Sequence, residues 1–144
     1  MGGDAPARFF VDENDLALGR SLALARKDVV HPGHPRLPRV PLGTPDAHWL
    51  PIVGDLGLVV ITRDKKIRSR PVEADLVLRS GVRGFVLTSS GDMSTWDTLT
   101  LLVRHWEALE RYMGAHPEGP WLAAVTNQGV RPLNVRSSHP GDAR

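Results

Sequence analysis

Apolar positions fall into two kinds of block along this chain. Residues 8–12, 28–30, 58–62 and 83–88 hold short, nearly unbroken apolar runs, the pattern of strands buried on both faces. Between these runs, apolar residues recur at spacings of three and four. Over residues 14–26, Leu16, Leu18, Leu22, Ala23 and Ala25 predict a helix ending in Arg26-Lys27, where cations suit the outward-pointing carbonyls. Thr44-Pro45 predicts the start of a second helix, a hydroxyl cap followed by proline at the first position. Trp49, Leu50, Val53 and Leu56 give that helix its apolar face, Gly57 closes it, and Pro51 predicts a kink or a short first piece. Pro71 opens a third helix, carrying Val72, Leu76 and Val77 and stopped by Gly81. The longest helix is expected over 94–113, with Ser94 and Asp97 spaced as a capping box. Its apolar stripe, Trp96, Leu99, Leu102, Val103, Trp106, Leu109 and Met113, reads as core packing. Residues 121–126 and 130–134 flank Asn127-Gln128-Gly129 and predict a terminal strand pair with a glycine-containing turn. Strands separated by helices make βαβ units, so the predicted fold is α/β with a mainly parallel sheet.

Composition narrows the picture. A chain of 144 residues with 41% hydrophobic residues suits one domain with its own core, expected over 8–136 between flexible tails at 1–7 and 137–144. Cysteine is absent, which removes disulfides and thiolate zinc sites and fits a reducing, cytoplasmic compartment. No apolar stretch approaches the roughly 20 residues of a membrane span, and Met1-Gly2-Gly3-Asp4 carries no basic-then-apolar leader. A net charge of +2 is too small to demand a nucleic-acid partner, so the local distribution of charge matters more.

That distribution is uneven. Phe9-Phe10-Val11 runs into Asp12-Glu13-Asn14, and Val59-Val60-Ile61-Thr62 runs into Arg63-Asp64-Lys65-Lys66. Asp46 falls in the first turn of the second helix, where the dipole tolerates negative charge. In a parallel sheet, strand ends and the starts of following helices meet at one edge. Three carboxylates gathered there repel one another unless a cation sits among them. Asp12, Asp46 and Asp64 are therefore candidate catalytic residues. With Asp92, after the fourth strand, they are candidate ligands of one or two Mg²⁺ or Mn²⁺ ions. Such an ion makes a coordinated water a stronger nucleophile and stabilises charge growing on a phosphate, the chemistry of phosphodiester hydrolysis. Taken singly, each acid reads as a helix cap or a solvated charge; their equivalent positions argue for a shared site. Glu13 and Asp15 are secondary candidates, Glu13 the lower because it points away from Asp12 if the strand continues.

Arg63, Lys65, Lys66, Arg68 and Arg70 surround Asp64. A cationic rim beside an acidic pocket suits an anionic polymer, so Arg63, Lys65, Lys66 and Arg68 are the candidate nucleic-acid contacts, with Arg36 and Arg39 on the proline-rich loop 31–43 as extensions. His31 and His34 have ligand-like spacing but no third partner nearby, which favours a structural role over zinc. Neither a dinucleotide fingerprint nor a Walker loop occurs, and Ser89-Ser90-Gly91 lacks the glycine of a nucleophile elbow. A phosphoacceptor receiver also carries acids after its first and third strands, but it needs a lysine after the fifth, where this chain has Asn127-Gln128.

The sequence Phe-Phe-Val-Asp12-Glu13-Asn14, the Asp46 helix with Trp49-Leu50, and Val-Val-Ile-Thr62-Arg63-Asp64-Lys65-Lys66 together resemble the PIN-like nuclease superfamily over roughly residues 8–90. The branch most similar is the compact PIN-like one, which includes toxins of VapC type. The resemblance implies a three-layer α/β/α sandwich, a Mg²⁺ or Mn²⁺ site and ribonuclease activity directed at single strands. It matches Asp12, Asp46 and Asp64 to the family's first three acids and leaves Asp92 as the nearest match to the fourth. RNA is the implied partner, with a cognate antitoxin and a homodimer as further expectations. The alternative is a non-catalytic PIN-like module that binds RNA or protein.

Overall fold

The computed structural model describes residues 6–88 and 93–136. Six strands form one sheet: β1 (Phe9–Val11), β2 (Val29–Val30), β3 (Val59–Thr62), β4 (Arg83–Leu87), β5 (Trp121–Thr126) and β6 (Gly129–Leu133). Their order is β2-β1-β3-β4-β5-β6, parallel throughout except for the final β5–β6 hairpin. Four helices accompany them: α1 (Leu16–Ala25), α2 (Asp46–Leu56), α3 (Pro71–Ser80) and α4 (Thr95–Ala115).

The period-two alternation of strand side chains builds two cores from one sheet. Phe9, Val11, Val59, Ile61, Phe85, Leu87, Ala123 and Val125 face α1 and α4, meeting Leu18, Leu22, Leu102 and Leu109. Phe10, Val30, Val60, Val86 and Leu122 face the other way onto Trp49, Leu50 and Val53 of α2 and Val77 of α3. The result is the expected α/β/α sandwich. Burying each of these large side chains contributes roughly 1.5–3 kcal/mol, so a sheet covered on both faces is strongly favoured over an exposed one. Helices α2 and α3 approach closely at Gly54, where a Cβ would run into the Ser80 carbonyl oxygen.

Several boundaries differ from expectation. Residues 13–15 form a 3-10 turn before α1 rather than its first turn. The helix predicted from Thr44 begins at Asp46, with Pro45 at the capping position. The Thr44 hydroxyl donates instead to the Pro41 carbonyl at 2.7 Å, closing a loop turn. Pro51 lies inside an unbroken α2 rather than splitting it. The Ser94 hydroxyl accepts from the Asp97 N–H at 3.0 Å, as its spacing predicts. The α4 stripe is only partly core: Leu102, Leu109 and Met113 are buried, whereas Trp96 is 75% and Val103 69% exposed. At about 100° per residue, these two sit roughly 100° or more round the helix from Leu102, off the buried face. The turn at 89–92, Asp92 included, residues 1–5 of the tail predicted over 1–7, and the tail predicted over 137–144 lie outside the described residues.

Candidate metal centre at the sheet edge

Strand order reverses between β1 and β3, which are neighbours although β2 separates them in sequence. Open α/β sheets leave a crevice at such a switch point, beyond the carboxyl ends of the strands. Asp12 follows β1 there and is 2% exposed; Thr62 ends β3 fully buried. The Thr62 hydroxyl donates to Asp12 Oδ2 at 2.7 Å and accepts from the Asp64 N–H at 3.0 Å, so one side chain ties the first and third acids together. Asp12 Oδ1 is buried with no hydrogen-bond partner, and so is the Thr88 hydroxyl just past β4. Burial, opposed by the Thr62 bond and reinforced by the negative charges of Asp15 and Asp46, pushes the Asp12 carboxyl up to about 7.

Asp15 closes the 3-10 turn after Asp12 and is also buried. Its carboxylate accepts from the Arg63 N–H at 3.1 Å and lies 3.6 Å from that guanidinium. Burial still drives its pKa upward, against the Arg63 N–H and charge. Asp46, in the first turn of α2, accepts from Trp49 Nε1 at 2.9 Å. Asp64 caps the second 3-10 turn by accepting from the Lys66 N–H at 3.1 Å. The guanidinium of Arg70 then spans these two acids. It bonds Asp64 directly, lies 4.0 Å from Asp46, and donates through Nε to Glu73 at 3.1 Å. Burial lowers the Arg70 pKa, but its bonds to Asp64 and Glu73 outweigh this and hold it above the ordinary value.

A cleft of about 880 Å³ opens over this edge, lined on its polar side by Asp15, Asp46, Arg63, Asp64, Lys65, Arg70 and Glu73 and on its apolar side by Leu87 and Met93. The structure thus brings Asp12, Asp46 and Asp64 to one edge. Contrary to the expectation from sequence, no three acids among the described residues are arranged as a ligand set. Asp46 is turned to Trp49 and Arg70, Asp64 to Arg70 and the Lys66 N–H, and Asp12 to Thr62.

Of the four candidate nucleic-acid contacts, Arg63 and Lys65 line the cleft and Lys66 and Arg68 do not. Arg68 reaches instead for the Asn134 carbonyl at 3.3 Å. Arg36 and Arg39 belong to the opposite edge: Arg36 donates to the Lys27 carbonyl ahead of β2, and Arg39 pairs with Asp55 near the end of α2. His31 and His34 pack edge to face at 5.1 Å, with His31 Nδ1 2.9 Å from the Pro32 carbonyl and His34 Nδ1 accepting from the Arg36 N–H. Glu13 accepts from the Gly43 N–H at 2.6 Å and so serves the loop. Thr62 and Glu73 were missed from sequence. Thr62 carried one signal, a hydroxyl at the end of a buried run, two residues before an acid.

A doubly wound α/β sheet with buried carboxylates gathered at its switch point defines a class of proteins that act at that edge. The chain belongs to the PIN like domain family, whose model matches residues 7–89. Members of that family are generally nucleases and usually work with divalent metals. No curated protein and no solved structure matches the chain.

The chemistry of the donors suits such a metal, although their side chains are not gathered round one point. All are carboxylate oxygens, which hard divalent cations prefer. Asp12 Oδ1 is a buried oxygen without a hydrogen-bond donor, a position that a bound cation would partner.

Proposed function

We propose that this chain is a Mg²⁺- or Mn²⁺-dependent endoribonuclease that hydrolyses phosphodiester bonds in RNA, and that it acts in the cytoplasm as the toxin of a type II toxin-antitoxin pair. The observation that carries the reading is the buried Asp12 carboxylate, its Oδ1 without a hydrogen-bond donor and its Oδ2 joined through Thr62 to Asp64 at the switch point of the sheet. Asp12, Asp46 and Asp64 would hold the metal, Asp15 standing close behind, with Asp92 as a fourth ligand. A divalent ion held there supplies Lewis acidity and a nucleophile at neutral pH.

The remaining chemistry falls to side chains. Thr62 fixes the orientation of Asp12 and, through the Asp64 N–H, the start of the next turn. Arg63 is braced against Asp15 and, with Lys65, presents cationic groups to backbone phosphates along the cleft. Lys66 and Arg68 extend that charge outside it. Leu87 and Met93, which also line the cleft, would offer a base or ribose the little apolar surface there.

The Asp64→Asn variant tests the assignment. It should lose Mg²⁺-dependent cleavage of single-stranded RNA while keeping its thermal midpoint, and retained cleavage would refute the role. The toxin assignment predicts growth arrest on expression, relieved by a small DNA-binding protein encoded alongside, and a homodimer is part of the same expectation. A non-catalytic RNA- or protein-binding module is the second reading, favoured by the Arg70 guanidinium lying against Asp46 and Asp64. Calorimetric titration with Mn²⁺ separates the two, since the inert module gives no saturable binding.

A further inference from the structure

We propose that Arg70 is a resident counter-cation that competes with the divalent ion for Asp46 and Asp64, so that metal loading requires its guanidinium to leave them. The inference rests on the metal-dependent reading above.

Four carboxylates meet at this edge, and their neutralisation is unequal. Asp15 has Arg63 at 3.6 Å. Asp64 is bonded by Arg70, whose guanidinium lies 4.0 Å from Asp46. Asp12 accepts a hydroxyl on one oxygen, neighbours the Asp15 carboxyl, and has no ion pair among the described residues. The positive charge that these acids require is therefore supplied, in part, by the chain itself. A guanidinium held beside these carboxylates repels a divalent cation approaching them and competes for the Asp64 oxygen it bonds, so its presence opposes metal loading.

The local backbone makes Arg70 able to let go. It sits at the N-cap of α3 with φ −65° and ψ 127°, and Pro71 follows it. A residue before proline is confined to extended conformations, so the backbone stays put while the long side chain moves. Glu73, in the first turn of α3, accepts from Arg70 Nε independently of the Asp64 contact. That gives the guanidinium a second anchor when Asp64 and Asp46 are taken. The Arg70 side chain is 39% exposed and borders the cleft, so from that anchor its free N–H groups face the space a phosphate would enter. Metal binding would then convert an inhibitory contact into a substrate contact.

The test is calorimetric titration of MnCl₂ into the chelator-treated full chain, comparing the unmodified protein with Arg70→Ala, Arg70→Gln and Arg70→Lys, alongside thermal midpoints with and without Mn²⁺. Arg70→Ala should bind Mn²⁺ about tenfold or more tightly, an ordinary size for coupling between linked binding events. Its midpoint should fall without metal and rise further than the parent's on adding it. Arg70→Lys keeps a charge and should stay near the parent. Arg70→Gln keeps most of the volume and reads the same affinity gain if the alanine variant does not fold. If the parent binds Mn²⁺ and Arg70→Ala and Arg70→Gln bind it equally or more weakly, the competition is overturned while the nuclease reading stands. If none of the four proteins binds Mn²⁺, the metal-dependent reading falls and the competition with it. If the parent fails to bind and Arg70→Ala binds, the competition is established in its strongest form.

Discussion

The two edges of this sheet bury aspartates in opposite ways. At the amino edge Asp28 precedes β2 and is nearly as inaccessible as Asp12, at 6% exposure against 2%. Arg26 grips it through two bonds of 2.9 Å, and Arg8 donates to it at 3.2 Å while also bonding Glu110. Burial would raise its pKa, but the Arg26 bonds and the charges of Arg26 and Arg8 win, and it falls below the ordinary value. At the carboxyl edge, burial wins for both Asp12 and Asp15. Both acids are nearly inaccessible, but Asp12 lies deeper and has no arginine while Asp28 is shallower and has two, which separates an acid that stabilises the fold from acids held at a cost to it. Acids of the second kind mark sites that work on something else.

The largest expected effect follows from exchanging the two acids' fates. Asp12→Asn should lower metal-dependent RNA cleavage by more than about 100-fold, the upper range for merely disturbing a metal ligand's support. It should leave stability unchanged or raised, because it removes a buried charge that no cation balances. Asp28→Asn should do the reverse, retaining cleavage while costing about 1–2 kcal/mol by stripping two arginines of their shared acceptor. Paired cleavage assays and chemical denaturation check both. Asp12→Asn destabilising as much as Asp28→Asn would erase the distinction.

pH sharpens it with opposite slopes. The folded pKa of Asp12, about 7, lies above its unfolded value of 3.8, so between those pH values the folded chain keeps a proton that the unfolded chain has released. Stability of the metal-free protein should therefore fall as pH rises from about 4 to about 7, and Asp12→Asn should lessen that fall, leaving the part that Asp15 contributes. Asp28 is lowered from 3.8, so its contribution is complete above that value and is lost as pH drops through the lower folded one. Asp28→Asn should flatten only this acid limb. Denaturation midpoints from pH 3 to 8 report both.

Much of the sandwich was legible because its signals are local. Apolar runs, Pro71 at a helix start, Gly81 with φ 66° at its end, and the Ser94 cap each need only a few neighbouring residues. The site was legible in part, since strand ends in a parallel sheet share an edge whatever their separation in sequence. What sequence could not carry was the direction of long side chains. Arg70 and Arg68 are two residues apart in one cationic run, yet one crosses to Asp64 and Asp46 and the other to Asn134. Nor could spacing reveal that the loop bearing Arg36 and Arg39 folds to the amino edge, because that depends on Lys27 and Asp55 lying there.

That loop supplies the smallest predicted effect and a check on the comparison from the basic side. Arg39 and Asp55 pair at 3.1 Å with 52% and 70% of their side chains exposed. Such a pair contributes about 0–1 kcal/mol, so Arg39→Ala should shift stability by no more than about 0.5 kcal/mol. Lying at the amino edge, it should also leave RNA affinity unchanged. Lys65→Ala, at the cleft, should weaken binding to an inactive Asp64→Asn background severalfold and reduce its salt dependence, as loss of one phosphate contact does. Both are read by titrating a labelled single-stranded oligonucleotide at two ionic strengths. If Arg39→Ala weakens binding as much as Lys65→Ala, the substrate runs down to the amino edge, and the two ends of the sheet do not divide structure from function.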